Sequence, residues 1–459
     1  MDFIKYKFES TEENHKIDLE LYEKYNVKRG LRNQSDGRGV LVGLTKIGDV
    51  YGYYMDGDKK IDDDGHLIYR GYDLYDIALN DIDNFGYEKV CYLLLFGNLP
   101  NDEEMQQFKD YLSDNYALPK DFMEDVLLKN PSKNLMNHLQ RAILSLYSFD
   151  NDPDNIEPFE ILKKGLSILA KMPTIINYVY QATNHFLRHK SLILHNPKRE
   201  FGIAENILFM LKGPDNYTQE EVEMLDLALI IHADHGGAPN STFADIVISS
   251  TGTDIYSSIS GALGSLKGPR HGGANKAVMD MFDCIINDIG INANDEEIKI
   301  VVNKLLDKNY YDKTGLIYGI GHAVYTKSDP RAVLLKKQCE KLSKIKGHEE
   351  LFNFYSRFEK ISITELKKRK KEGFNCCANL DFYSGLAYQF LGIPTDLFTP
   401  IFATSRMIGW IAHDIESRIN SNKIVRPANK YVGEIKKYGE WKYVWCSIIW
   451  RRWNWSRNN

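Results

Sequence analysis

Residues 101–112 read NDEEMQQFKDYL, and residues 294–305 read NDEEIKIVVNKL. In each, an asparagine stands three places before a glutamate at the head of an apolar repeat. The asparagine side chain can accept an orphan backbone N–H of the first helical turn, while the glutamate reaches back to the asparagine N–H. Apolar residues then recur at helical spacing: Met105, Phe108 and Leu112 in the first stretch, Ile298, Val301, Val302 and Leu305 in the second. Thr218 with Glu221 makes a third pair of the same kind. From Tyr72 the pattern stays helical almost to the end, with no internal repeat of the solenoid type. The sequence therefore predicts an all-α fold.

Residues 38–70 differ. Val40–Val42, Val50–Tyr54 and His66–Tyr69 are short β-favouring runs cut by Gly- and Asp-rich turns, which predicts a minor strand or hairpin segment. Residues 1–29 are polar and predict a helical arm, with Ile17, Leu19, Leu21 and Tyr25 as its apolar contacts. A chain of 459 residues exceeds one ordinary core, so two or more domains are expected.

Composition narrows the function classes. Apolar residues make up 43% and charged residues 26%, the balance of a soluble globular protein. No run is long and apolar enough to span a bilayer. The N-terminal stretch has neither an apolar signal region nor the acid-poor, Arg/Ser-rich character of a transit peptide, so a cytoplasmic location without a membrane partner is expected. The net charge of −5, from 58 bases against 63 acids, argues against a general attraction to nucleic acid. Anionic ligands must then be held by local arginines. Six cysteines stand at 91, 284, 339, 376, 377 and 446, none in CxxC spacing, and are read as reduced, mostly buried thiols.

Four motifs carry candidate chemistry. His232 and His235 in HADHGG share a helix face, which suits a structural pair or a metal; no HExxH glutamate or third ligand pattern accompanies them. His271 in GPRHGGAN is flanked by Pro269 and Gly272–Gly273, so it is presented at a sharp turn where a ligand can approach the backbone. His322 in GIGHAVYTKSDPRA follows Gly319 and Gly321, and Asp329–Pro330–Arg331 opens a helix that brings Arg331 near the same concavity. Asp381 in NLDFYSG lies between Leu380 and Phe382. It is either a general base with a raised pKa or a helix N-cap. The run Lys367, Lys368, Arg369, Lys370, Lys371 reads as a solvated helix face or a phosphate contact.

Taken together, HADHGG, GSLKGPRHGGAN, GIGHAVYTKSDPRA, NLDFYSG, FATSRMIGWIAHDIE and VRPANKYVG, in this order and spacing, resemble the citrate synthase family over roughly residues 30 to 433. The resemblance implies an all-α, homodimeric enzyme with a large domain (1–273 and 388–459) and a small one (274–387) closing over the active site. It implies an acyltransferase that condenses oxaloacetate with acetyl-CoA and water in the tricarboxylic acid cycle. No metal and no cofactor are implied, since the CoA thioester is itself a substrate. His271 matches the histidine that stabilises the enol oxygen, His322 the one that polarises the ketone, and Asp381 the base that removes the methyl proton. His235, Arg331 and Arg406 match oxaloacetate-binding residues. Arg426 matches an arginine that crosses the dimer interface. Leu266, Lys267, Gly268, Pro269, Arg270, Ile320, Gly321 and Asn379 match CoA contacts.

These roles fit the chemistry. A thioester methyl is a very weak acid, so its deprotonation needs a positioned base and stabilisation of the enol oxygen together. Arginine grips carboxylates bidentately, and oxaloacetate carries two.

Two features depart from the family. Ala378 replaces the usual proline before Asn-x-Asp, which is expected to alter the turn carrying Asp381 while keeping the base. Residues 438–459 hold five of the six tryptophans together with Arg451, Arg452 and Arg457, which suits a membrane surface, a cation–π cluster or an atypical tail. Three rivals remain: a 2-methylcitrate synthase using propionyl-CoA, a catalytically inactive all-α regulatory protein, and a metal-dependent hydrolase built on His232, His235, His413 and Asp414.

Overall fold

The structure is a computed structural model that describes residues 16–33, 38–57, 59–80, 85–421 and 423–436, with Lys5 and Glu9. Contacts divide the chain into a large unit, Gly43–Val425, and a small one formed by residues up to Val42 and from Arg426. The tryptophan-rich tail lies outside the described residues.

In the small unit, α1 (Leu19–Lys24) is capped by Asp18, whose side chain accepts the Glu20 N–H at 3.0 Å. None of its residues is buried: Ile17, Leu19 and Tyr25 are exposed and Leu21 is half-buried among the described residues. The strand expected at Val40–Val42 is absent. Val40 donates to Leu31 O and an isolated bridge joins Arg32 to Gly39, while Leu41 is 85% exposed with no face to pack on. Arg426 is exposed in irregular backbone.

The large unit opens with a hairpin. Strand β1 (Gly48–Asp56) pairs antiparallel with β2 (Lys59–Tyr69), from Gly48 opposite Tyr69 to Asp56 opposite Lys59, with a register shift between Tyr51 and Tyr53. Strand β3 (Tyr72–Asp73) completes a three-stranded sheet. Leu67 and Tyr69, two apart on β2, are fully buried, as the two-residue period of a half-buried strand requires.

Helices follow: α2 (Leu74–Asn80), α3 (Gly86–Phe96), α4 (Asp102–Asp114), α5 (Leu135–Ser145), α6 (Pro158–Arg188), α7 (Ile203–Lys212), α8 (Gln219–His232), α9 (Asn240–Ser249) and α10 (Ile255–Leu266). After them come α11 (Ala274–Ile289), α12 (Asp295–Leu306), α13 (Pro330–Lys346), α14 (Glu349–Arg369), α15 (Leu380–Phe390) and α16 (Phe398–Asn420). Both reciprocal hydrogen bonds of each of the three capping boxes close as read: Asn101 with Glu104, Thr218 with Glu221, Asn294 with Glu297.

Helices α8 and α16 are buried all round and form the centre of the unit, with α6 packed along α16. Helices α11–α15 pack chiefly on one another around Phe282, which stacks on Tyr355 at 3.6 Å and meets Phe382 edge-on at 5.5 Å. The five cysteines among the described residues are free, and all but Cys284 are buried. No helix of the described residues is long and apolar enough to cross a membrane.

Because the Asn294 side chain accepts both the Glu296 and Glu297 N–H groups, Asn294→Ala should cost about 1 kcal/mol. A fall in the denaturation midpoint relative to the parent checks this; an unchanged midpoint contradicts it.

Candidate active site

His271 sits in the turn between α10 and α11. Its turn closes by Gly272 N–H donating to Leu266 O at 2.9 Å, and a Cβ at Gly272 would stand 2.4 Å from that oxygen. The Ser241 backbone N–H, at the start of α9, points at His271 Nε2 at 3.3 Å, with Ser241 Oγ at 2.8 Å. A backbone N–H only donates, so Nε2 holds the lone pair and Nδ1 carries the proton. Burial, then the nearby Arg406 charge, lowers the pKa of His271 to about 4, keeping it neutral.

His322 is fixed in the complementary tautomer. Its Nδ1 accepts from the Val324 and Tyr325 N–H groups, both at 3.1 Å, so Nε2–H is the outward donor. The ring stacks on Tyr325 at 4.6 Å and meets His235 edge-on at 5.5 Å. Gly319, at φ +84°, passes so close to α15 that a Cβ would lie 2.9 Å from Phe382 Cα.

Asp381 occupies the first turn of α15. The helix cap is Asn379, whose side chain accepts the Asp381 N–H at 3.0 Å. The capping reading of Asp381 therefore fails, and its carboxylate is left for other work. Burial raises its pKa to about 6, opposed by Arg331, supported by Asp329 and opposed by Arg406.

The loop of His322 and the lead into Asp381 are tied together. Gly321 N–H donates to Cys377 O, Asn379 N–H to Gly319 O, and Asn379 Nδ2 to Gly321 O, each at 2.8 Å. This bridge pairs Ile320 with Ala378 but uses only the flanking N–H groups. Ala378 gives it no N–H, so a proline would lose nothing there.

Two buried arginines face these groups. Arg331 is held by Asp329, with Nε at 3.0 Å and Nη2 at 2.7 Å. Burial works against its charge, but Asp329 more than compensates and its pKa is raised. Arg406 on α16 donates from Nε to His232 O at 2.6 Å and lies 5.0 Å over the Phe402 ring. Burial lowers its pKa to about 10, against the pull of Asp234, so it stays charged near neutrality. His235 follows α8, in a turn set by Asp234, whose Oδ2 accepts the Gly236 N–H at 2.8 Å and whose Oδ1 faces His413 Nε2 at 3.2 Å. Burial, then Arg331, His322 and Arg406, pushes its pKa well down. His235 Nε2 is buried and makes no hydrogen bond among the described residues, so it is placed for a ligand.

His271, His322, Asp381, His235, Arg331 and Arg406 thus gather around one region of the large unit, with His322 opening on a cleft of about 340 Å³ that Gly321, Tyr325, Asn375 and Cys376 also line. Of the expected CoA contacts, Lys267, Pro269 and Arg270 are exposed and Gly268, Ile320, Gly321 and Asn379 half-buried, whereas Leu266 is fully buried and its carbonyl is taken by Gly272. In the basic run, Lys368 pairs with Glu365 at 2.7 Å and Arg369 with Asp307 at 2.6 Å, as on a solvated helix face. Among the described residues, no group of three or more His, Cys, Asp or Glu is placed to hold a metal ion. His232 Nδ1 is engaged by Ala228 O at 2.6 Å and Asp414 by Arg418 at 2.6 Å.

Residues 35–428 match the family profile described as citrate synthase, C-terminal domain. The chain belongs to the citrate synthase family. It is 37% identical over 377 residues to citrate synthase 2 of Bacillus subtilis, covering 82% of this chain and 92% of that protein. It is 33% identical over 407 residues to 2-methylcitrate synthase of Shewanella oneidensis, covering 88% and 94%. Its structure aligns with citrate synthase from Thermoplasma acidophilum, solved as a ternary complex with carboxymethyl coenzyme A and oxaloacetate, at a TM-score of 0.72 and 27% identity over 92% and 99% of the two chains. The citrate synthase fold is mostly helical with a small sheet, and this member is an enzyme of the acyltransferase type.

The sequence left Ser241, Tyr325 and Asp329 outside the site, although Asp329 was legible as a helix start. Their contributions are backbone or cross-element contacts that no local pattern announces.

A base with a pKa near 6 works only when ionised, so kcat/KM should rise with pH to half its plateau near pH 6. His271 at about 4 adds no limb above pH 5. A profile flat from pH 5 to 7 would contradict this assignment.

Proposed function

We propose that this enzyme condenses oxaloacetate with acetyl-CoA and water to give citrate and CoA. The observation that carries the reading is the pairing of a carboxylate of raised pKa, Asp381, with two histidines locked neutral in opposite tautomers, each presenting one N–H. Asp381 takes a methyl proton of the thioester while His271 Nδ1–H hydrogen-bonds the developing enol oxygen. The enol carbon then attacks the ketone carbon of oxaloacetate, whose oxygen accepts from His322 Nε2–H. Arg331, Arg406 and His235 hold the carboxylates. Water then cleaves the thioester, releasing CoA.

In this reading residues 274–387 act as a small domain that closes over the bound substrates and excludes water until condensation is complete. Arg426 completes the oxaloacetate site across a homodimer interface, and Lys267–Arg270, Gly321 and Asn379 border the CoA. The reaction needs no metal or cofactor, and the enzyme works in the cytoplasm at the entry of the tricarboxylic acid cycle.

The relative named 2-methylcitrate synthase keeps propionyl-CoA as a second reading. One methylene changes binding by only about 1–3 kcal/mol, so the same residues serve either acyl group.

CoA release measured with a thiol reagent decides among these. Oxaloacetate with acetyl-CoA should give release faster than oxaloacetate with propionyl-CoA, and neither thioester should be cleaved quickly alone. A faster rate with propionyl-CoA makes the enzyme a 2-methylcitrate synthase. No oxaloacetate-dependent release with either thioester overturns the condensation reading.

A further inference from the structure

Tyr325 stands at the meeting point of three residues assigned to oxaloacetate. Its ring stacks on His322 at 4.6 Å with the planes 24° apart. His235 meets it edge-on at 5.8 Å and 85°. The Arg331 guanidinium lies 5.4 Å over its centroid. Such contacts are attractive in these geometries, and together they fix the orientation of three groups on different elements.

The tyrosine is itself clamped from the hairpin side. Its hydroxyl donates to His66 O at 3.3 Å, and the neighbouring Thr326 Oγ1 donates to Gly52 O at 3.0 Å. A Cβ at Gly65 would stand 2.6 Å from the ring and 2.1 Å from Ser328 O; one at Gly52 would stand 3.3 Å from the ring and 3.0 Å from Tyr325 Cα. The two glycines are therefore where β1 and β2 must run against the ring. The ring is 1% exposed, and the chemistry assigned above never uses it.

We propose that Tyr325 is a positioning residue for the oxaloacetate site: the hairpin seats its ring, and the ring sets the attitude of His322, His235 and Arg331. The inference rests on the condensation reading given above. The hydroxyl is dispensable in it, because the contacts that matter are made by the aromatic face and edge. The backbone N–H that fixes the His322 tautomer survives any side-chain change, so loss of the ring disturbs orientation and leaves protonation alone.

The test is steady-state kinetics of the full-length protein with Tyr325→Phe, Tyr325→Leu and Gly52→Ala, alongside calorimetric titration with oxaloacetate alone. Losing its three ring contacts in Tyr325→Leu should raise the oxaloacetate KM and Kd about ten-fold, while the acetyl-CoA KM stays within about three-fold and the acid limb stays near pH 6. Tyr325→Phe should remain within about two-fold of the parent in every parameter. Gly52→Ala, which pushes the ring without removing it, should raise the oxaloacetate KM by at least about three-fold, and it carries the test if Tyr325→Leu does not fold. A parental oxaloacetate KM in the folded leucine variant, or in Gly52→Ala, overturns the proposal, as does a Tyr325→Phe enzyme as impaired as Tyr325→Leu. A parent protein that releases no CoA with oxaloacetate instead removes the condensation reading, while the oxaloacetate titration still reports on the tyrosine.

Discussion

One carboxylate joins the helix that carries Arg331 to the helix that carries Asp381. Asp329 is 1% exposed and accepts four N–H groups. Two belong to the Arg331 guanidinium and one to the Arg331 backbone; the fourth is the Leu380 N–H at 3.1 Å. It therefore caps α13, aims the arginine and satisfies a donor at the head of α15, one residue from Asp381. A buried anion is costly unless its partners are this complete. With Asp329 in place, the Arg331 guanidinium and the head of the helix that carries Asp381 are held by the same group.

The surrounding electrostatics follow. Two buried guanidinium groups favour anions throughout the site and by themselves would pull Asp381 below the ordinary carboxylate range. Burial and the negative charge of Asp329 oppose that and leave the base near 6. The same positive field, together with burial, keeps His271 and His235 neutral. Neutral imidazoles donate one hydrogen bond without bringing a further charge, which suits stabilisation of an enol while the substrate's own carboxylates neutralise the arginines. Holding His271 and His322 in opposite tautomers costs no additional side chains beyond Ser241, because the other donors are backbone N–H groups.

What could be read from sequence was whatever local rules govern. Capping boxes at Asn101, Thr218 and Asn294 are contacts within one turn, so they predicted helix starts correctly. The hairpin was legible because alternation and turn residues lie close together. Val40–Val42 misled because β-favouring residues make a strand only with a continuous partner and a face to bury: Val40 makes a single ladder bond, to Leu31, and Leu41 and Val42 are exposed. Asp381 stayed ambiguous until Asn379 was seen to fill the cap. Asp329, Tyr325 and Ser241 were missed as members of the site because their action crosses between elements 30 to 259 residues apart in sequence.

The central claim is that Asp381 takes a proton from the methyl group of the thioester. Its most direct measurement is exchange of acetyl-CoA methyl hydrogens with D₂O, read by mass spectrometry, with a hydroxydicarboxylate in place of oxaloacetate so that the enol has no ketone to attack. The account predicts that the parent enzyme incorporates deuterium above the rate in buffer and that a folded Asp381→Asn protein does not. Equal incorporation by the two proteins would contradict it.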